Sequence, residues 1–253
     1  MSDGESDAQA RIYQERAEEY DELIRAEDAD GRLSEELARL VPIDDAVLID
    51  VGAGTGRIAR LLGRRARHVH LVERASPMLE LAKQRLAEAD LWNASFHLAD
   101  ARALPLPTAC ADVAIAAWVF GHFRSWMPAT WRDDVGAALG EMRRVLKPGG
   151  ASIVIETLGT GHETPRSHPA LDEYFAFLES EHGFSRTWVR TDYVFDDVET
   201  AARVAGSFFG DAMRTRIQAE RSPRLPECTA VFLACRSAAV AARPQLAGSG
   251  RDS

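Results

Sequence analysis

The sequence predicts an α/β fold, a Rossmann-like, doubly wound and mostly parallel sheet with helices on both faces. Three observations carry that prediction. Two near-continuous apolar runs, Val47–Val51 and residues 111–118, have the character of strands buried on both faces. The first runs without a linker into Gly52-Ala53-Gly54-Thr55-Gly56, and Ile58, Ala59, Leu61 and Leu62 follow at helical spacing. Strand, glycine turn and helix form the first half of a βαβ nucleotide site. The glycines permit φ > 0 and let a ligand lie against bare backbone, and the helix start offers N–H groups.

The remaining elements follow from periodicity and turn chemistry. Residues 1–10 are small and polar and are expected to be disordered, and residues 11–26 place Tyr13, Ala17, Tyr20 and Ile24 on one helical face. A second helix at 33–40 leads into the first strand. The second strand is 69–73, and Ser76 and Pro77 stand as N-cap and N1 of a helix burying Leu79, Ala82 and Leu86. A third strand at 95–99 and the fourth at 111–118 precede a helix at 131–146. Lys147-Pro148-Gly149-Gly150 reads as a sharp turn into a fifth strand at 151–156. A loop at 157–169, a helix at 171–182, an extended segment at 187–195 and a helix capped by Asp197 come next. Residues 213–220 and Cys228–Cys235 are expected to be the last two strands, before a flexible tail at 237–253. Residues 11–236 thus read as a single domain.

Composition narrows the function. With 30 basic and 39 acidic residues the net charge is −9, which argues against nucleic acid as a partner. Arg57, Arg60, Arg64 and Arg65 recur at three- to four-residue spacing and read as the solvated face of the helix after the glycine turn. Three cysteines without metal-ligand spacing, and histidines at 68, 70, 162, 168 and 182 without a matching pattern, give no support for a metal site. No G-x-S-x-G occurs. No secretion signal and no membrane-length apolar run is seen, so a cytoplasmic protein is expected.

The spacing of the glycines is informative. A dinucleotide fingerprint, G-x-G-x-x-G, needs glycine at position 57, where this chain has arginine. Asp50 followed by Gly52-Ala53-Gly54-Thr55-Gly56 instead resembles motif I of class I S-adenosylmethionine-dependent methyltransferases, of the type-11, small-molecule kind. Downstream text resembles that family in the same order: Tyr13-x6-Tyr20-Asp21 ahead of motif I, Asp100 before Ala-Arg-Ala-Leu-Pro, Gly121-His122 after the fourth strand, and Arg144-Val-Leu-Lys-Pro-Gly-Gly150. The resemblance implies the strand order 3-2-1-4-5-7-6 with an antiparallel last strand, and an N-terminal helical lid at 11–40. It implies S-adenosylmethionine as cofactor and S-adenosylhomocysteine as product. Tyr20, Asp50, Gly52, Ala53, Gly54, Gly56, Arg74, Ala101 and Ala117 are its implied contacts, with Met78 against the adenine. Glu73, 21 residues beyond Gly52, would accept from the ribose hydroxyls, as such a carboxylate also does for nicotinamide cofactors. Asp100 would accept from the adenine amino group, or else form an Asx-turn.

Methyl transfer from a sulfonium is an in-line displacement governed by positioning, so no universal catalytic residue is expected. His122 is the candidate, either orienting the acceptor or acting as a base near neutral pH, or else packing against the next turn. Tyr13, Trp118, His122, Trp126, Glu156, Tyr174 and Tyr193 are candidate acceptor contacts, with residues 157–195 as a pocket insertion. Their aromatic character suggests a partly apolar small molecule, with no nucleic acid and no membrane partner, and a monomer or homodimer. The rival readings are a nicotinamide oxidoreductase, a non-catalytic adenosylmethionine-binding protein and a nucleic-acid methyltransferase.

Overall fold

The computed structural model describes residues 17–237. Tyr13, the expected helix start at Arg11, residues 1–10 and all but the first residue of the 237–253 tail lie outside the described residues. In chain order the elements are α1 (Ala17–Ala26), α2 (Arg32–Leu40), β1 (Val47–Val51), α3 (Arg57–Leu62), β2 (His68–Glu73), α4 (Ser76–Glu88), β3 (Ala94–Leu98) and β4 (Ala111–Ala117). A 3₁₀ turn (Phe120–His122), α5 (Phe123–Trp126), α6 (Trp131–Val145), β5 (Leu146–Thr157), α7 (Pro169–Ser180) and β6 (Ser185–Arg190) follow. The chain then forms β7 (Tyr193–Val194), α8 (Val198–Phe209), α9 (Asp211–Glu220), β8 (Arg224–Leu225) and β9 (Cys228–Cys235).

Seven strands form one sheet in the order β3-β2-β1-β4-β5-β9-β6. The strands from β3 to β5 run parallel, and β9 lies antiparallel between β5 and β6. This is the doubly wound order expected from the sequence, with β9 as the inserted last strand. Alternation along β1 assigns the layers. Ile49 and Val51 join a core with Val135, Leu139 and Met142 of α6 and Tyr174, Phe175 and Leu178 of α7. Leu48 joins the opposite core, with Leu33 and Leu37 of α2, Ile58 and Leu62 of α3, and Leu79 and Leu86 of α4. Both faces of β1 are therefore buried, which is why its sequence is a continuous apolar run. Each fully buried aliphatic side chain contributes on the order of 2 kcal/mol. A third, smaller cluster packs α8 and α9 against Leu23 of α1 and Tyr193, Phe195 and Leu225.

Four local expectations are corrected. Residues 213–220 lie in α9, not in a strand: Met213, Thr215, Ile217 and Ala219 mimic a two-residue alternation, yet Ile217 alone is buried and the composition favours helix. The extended segment at 187–195 divides between β6 in the main sheet and β7, which pairs with β8 in a separate ribbon. Lys147–Gly150 is a bulge inside β5, whose pairing with β4 jumps from Leu146 to Ala151. Gly149 sits there at φ +83°, and its N–H donates to the Arg236 carbonyl at 3.0 Å. Ser76 is the first helical residue of α4, with Ala75 as the cap. Asp112, at the amino end of β4, accepts from the Val47 N–H at 2.8 Å and from Lys147 Nζ at 2.7 Å, a structural role. Asp197 caps α8 by accepting from the Thr200 N–H at 2.7 Å.

Candidate cofactor site

The carboxyl ends of β1, β2, β3 and β4 open onto a cavity of about 530 Å³, at the reversal of strand order where open α/β sheets bind ligands. Its wall is built turn by turn. Gly52 and Gly54 follow β1, Glu73, Arg74 and Ala75 end and follow β2, and Asp100, Ala101 and Arg102 follow β3. Ala117, Trp118 and Val119 follow β4, His122, Phe123, Trp126 and Met127 extend that side, and Tyr20 of α1 closes over it.

The glycines are required by geometry. Gly52 adopts φ +70°, and a Cβ there would lie 2.5 Å from a Val119 methyl. Gly56 adopts φ +82°, and its Cβ would meet Leu86 at 2.8 Å. Gly54, at φ +54°, faces the Tyr20 ring, so the turn is thin where α1 crosses it. Four N–H groups of this turn have partners within the fold. Gly52 and Ala53 donate to the Val72 carbonyl at 2.8 and 3.0 Å, Gly54 to Glu73 Oε2 at 3.0 Å and Gly56 to the Ala53 carbonyl at 2.9 Å. The turn's contribution to the wall is bare backbone.

Glu73 is 8% exposed, and its Oε1 accepts from the Ala75 N–H at 2.7 Å. Burial raises its carboxyl above the ordinary glutamate range, and it lines the cavity with each oxygen keeping a further lone pair. Asp100 forms the Asx-turn, accepting from the Arg102 N–H at 2.9 Å, and both its oxygens also accept from the Arg102 guanidinium at 2.8 and 2.9 Å. Those bonds hold its carboxyl below the usual aspartate range. Arg102 donates onward to Asp134 at 2.6 Å.

Other candidate residues stand outside the wall. Met78 is fully buried and does not line the cavity. Asp50 is buried beneath the turn with Oδ2 unpartnered, and burial pushes its carboxyl up to about 7. Tyr174 and Tyr193 are buried in the two neighbouring hydrophobic clusters and do not line the cavity. Glu156 lies behind the 3₁₀ turn, where Oε1 accepts from the Gly121 N–H at 2.9 Å and the Tyr174 hydroxyl at 3.1 Å. His122 lines the cavity and stacks on Trp126, with centroids 5.0 Å apart and planes at 12°. Burial holds its imidazole down at about 4, so it is uncharged at neutral pH. Trp118 takes φ +55°, an uncommon backbone state for a bulky side chain.

The expected solvated arginine face is corrected at its first two positions. Arg57 donates from Nη1 to Glu27 at 2.7 Å, and its guanidinium lies 3.9 Å from the Trp118 ring centroid. Arg60 reaches Asp21 at 3.1 Å. Asp21, 1% exposed, also accepts from the Thr55 hydroxyl at 2.9 Å and from Arg85 Nε at 2.6 Å, fastening α1 to the glycine turn, α3 and α4. Sequence reasoning quoted Asp21 without giving it this role and missed Arg102, Phe123 and Met127. A signal for the last two was present: Phe123 and Met127, like His122 and Trp126, are four residues apart on one helical face.

A family model described as a methyltransferase domain matches residues 49–154, the stretch from β1 into β5 that builds this wall. The match, with the relatives that follow, supports a class I S-adenosylmethionine-dependent methyltransferase domain in this stretch. It is 34% identical over 114 residues to a malonyl-[acyl-carrier protein] O-methyltransferase of Serratia marcescens, covering 45% of this chain and 39% of that protein. It is 31% identical over 153 residues to a demethylmenaquinone methyltransferase of Thermotoga maritima, covering 58% of this chain and 61% of that one. The chain thus spans less than two thirds of these curated relatives. The fold also resembles the [4+2]-cyclase SpnF, with a TM-score of 0.55, 22% identity, and 83% and 82% of the two chains covered. The same fold therefore carries different reactions, and the chemistry of this chain has to be read from its own side chains. The family's cofactor, S-adenosylmethionine, suits the wall: Glu73 offers acceptor lone pairs for ribose hydroxyls, and Gly52 and Gly54 present backbone to the cavity. Among the described residues no group of three His, Cys, Asp or Glu could hold a metal ion, and no helix is long and apolar enough to cross a membrane.

Proposed function

We propose that this methyltransferase, acting in the cytoplasm, transfers a methyl group from S-adenosylmethionine to a nitrogen or oxygen of a small-molecule acceptor. The observation that carries the proposal is the continuity of one cavity. Glu73, Gly52 and Gly54 stand along one side, and Trp118, His122 and Trp126 along another. When bound, the sulfonium supplies a methyl group already activated for displacement. Glu73 holds the ribose, and Asp100 and Ala101 stand beside the adenine, with Arg102 fixing the Asp100 carboxylate. The bare turn at Gly52 and Gly54 carries the methionine end, and Tyr20 covers it and excludes water. Trp118, His122 and Trp126 orient an acceptor with an apolar part. The uncharged His122 acts as a hydrogen-bonding side chain, and positioning supplies most of the rate. The test is labelled-methyl transfer from S-adenosylmethionine into cell extract, with identification of the product. Label in one small molecule, lost in a Glu73→Ala variant, supports the proposal. Binding of S-adenosylhomocysteine without transfer to any acceptor points to a non-catalytic binding protein.

A further inference from the structure

Trp118 separates the cofactor cavity from a second polar assembly. Its indole lines the cavity and also covers the Arg57 guanidinium, 3.9 Å from the ring centroid. Arg57 leads into a buried cluster drawn from four parts of the chain. Glu27 of the segment after α1 accepts from Arg57 at 2.7 Å and from the Thr191 hydroxyl at 3.2 Å. Thr191 and Thr229 hydroxyls stand 2.5 Å apart. Glu227, 1% exposed, accepts from the Thr157 hydroxyl at 2.7 Å through Oε1, and Thr160 lies beside it, 3.3 Å from Thr157. The Glu227 backbone N–H donates to Asp192 at 3.1 Å, which fixes its position.

Two atoms in this cluster have no hydrogen-bond partner: Glu227 Oε2 and Arg57 Nη2. The charges do not balance either. Glu27 and Glu227 face one buried cation, Arg57, because Arg190 and Arg224 pair with Asp192. A buried carboxylate left without a counter-charge keeps its proton, and burial with Glu27 nearby pushes Glu227 up to about 8. A metal ion is not the missing charge, since no metal-holding group of three occurs among the described residues. The location is that of a ligand site. Arg57 opens α3, Trp118 follows β4, Thr157 ends β5 and Glu227 immediately precedes the antiparallel β9, so all lie at the carboxyl end of the parallel strands.

We propose that this cluster is the polar end of the acceptor site and binds the ammonium group of an organic amine, with Glu227 as anchor and Trp118 as the movable wall. The inference rests on the reading of the cavity as a methyltransferase site and names its substrate class. A protonated amine brings the missing positive charge and three N–H donors for Glu227 and the threonine hydroxyls. The indole offers the face on which a cation passes. Trp118, held at φ +55°, stands between the cavity and this cluster, touching both. A carboxylate or phosphate ligand would add a second negative group beside Glu27 and supply no counter-charge for Glu227.

The test compares two probes that differ only in the head group, phenethylamine and 2-phenylethanol, by calorimetry on the protein saturated with S-adenosylhomocysteine. The amine is expected to bind at least about tenfold more tightly than the alcohol. Its heat should depend on the buffer's ionisation enthalpy, because Glu227 releases its proton. In Glu227→Gln the preference should fall to within about twofold and the proton release should vanish, with the affinity for S-adenosylhomocysteine unchanged. Equal binding of the two probes, binding of neither, or a preference that survives in Glu227→Gln overturns the proposal. So does a crystal grown with the amine that shows only an internal water on Glu227 and Arg57. The wild-type comparison stands even if the variant does not fold. Binding of S-adenosylhomocysteine is measured first. Its failure overturns the cofactor reading, whereas its success with no amine preference overturns this inference alone.

Discussion

The two sides of the cavity are built by different means. On the cofactor side, each functional group sits within a few residues of a strand end, and its bonds are short in sequence. Glu73 accepts from the N–H two residues on, Asp100 bonds Arg102, and the glycine turn bonds the end of the adjacent strand. On the side of Glu27, Arg57 and Glu227, partners come from distant segments: Thr157 with Glu227, and Thr191 with Glu27. The cofactor side is therefore specified by strand ends that any doubly wound sheet provides. The other side exists only once the whole chain has folded.

Variants on the two sides should separate binding from stability. The largest effect is expected at Asp21, which ties α1 to the glycine turn, α3 and α4. Asp21→Ala removes the buried partner of Arg60 and Arg85 and frees α1 from Thr55. It should cost about 3 kcal/mol in chemical denaturation, the low end for a broken buried pair because both arginines are partly exposed. A loss below about 0.5 kcal/mol, the level of an ordinary surface pair, would remove Asp21 from this account. Glu73→Ala confines its effect to the cofactor side. Affinity for S-adenosylhomocysteine should fall about 100-fold by calorimetry, while the melting temperature changes little.

Glu156 tests the protonation of the interior behind the 3₁₀ turn. Burial pushes its carboxyl up to about 7 from an ordinary 4.5, so the folded protein keeps a proton that the unfolded chain releases. The stabilisation is full below about 4.5 and is lost as pH rises towards 7. Asp50 and Glu227 act with the same sign. His122, held down at about 4, acts with the opposite sign, losing stabilisation as pH falls from 6.5. Replacing Glu156 by Gln should remove about 2 kcal/mol of the wild-type decline between pH 5 and pH 7. Parallel profiles for the two proteins would show that Glu156 is ionised throughout. The smallest effect is expected from Thr191→Val on the far side. It should cost about 1 kcal/mol of stability and leave the affinity for S-adenosylhomocysteine unchanged.

The same contrast explains what could be read from the sequence. The sheet order followed from the family resemblance, whereas the glycine turn and the positions of Glu73 and Asp100 were legible because each depends on a short stretch with its own periodicity or turn chemistry. Asp100 shows the limit of that reading, since the residue that occupies both its oxygens, Arg102, had no local mark. Arg57 failed for a different reason. Its three- to four-residue spacing from Arg60 and Arg64 is that of an exposed face, yet Glu27 and Trp118 arrive from elsewhere and bury it. Tyr174 and Tyr193 were expected at the acceptor because tyrosines suit such walls. Their rings pack instead into the two neighbouring hydrophobic clusters, where α7 and the β7–β8 ribbon place them. Alternation misled at 213–220, where composition outweighed period.

The central claim is that the bare turn and Glu73 form a site for S-adenosylmethionine and not for a dinucleotide. Calorimetric titration of the intact chain with S-adenosylhomocysteine and, separately, with NADH tests it most directly. One S-adenosylhomocysteine is expected to bind per chain, with the affinity lost in Glu73→Ala and no saturable heat with NADH. Saturable NADH binding with none for S-adenosylhomocysteine would contradict it.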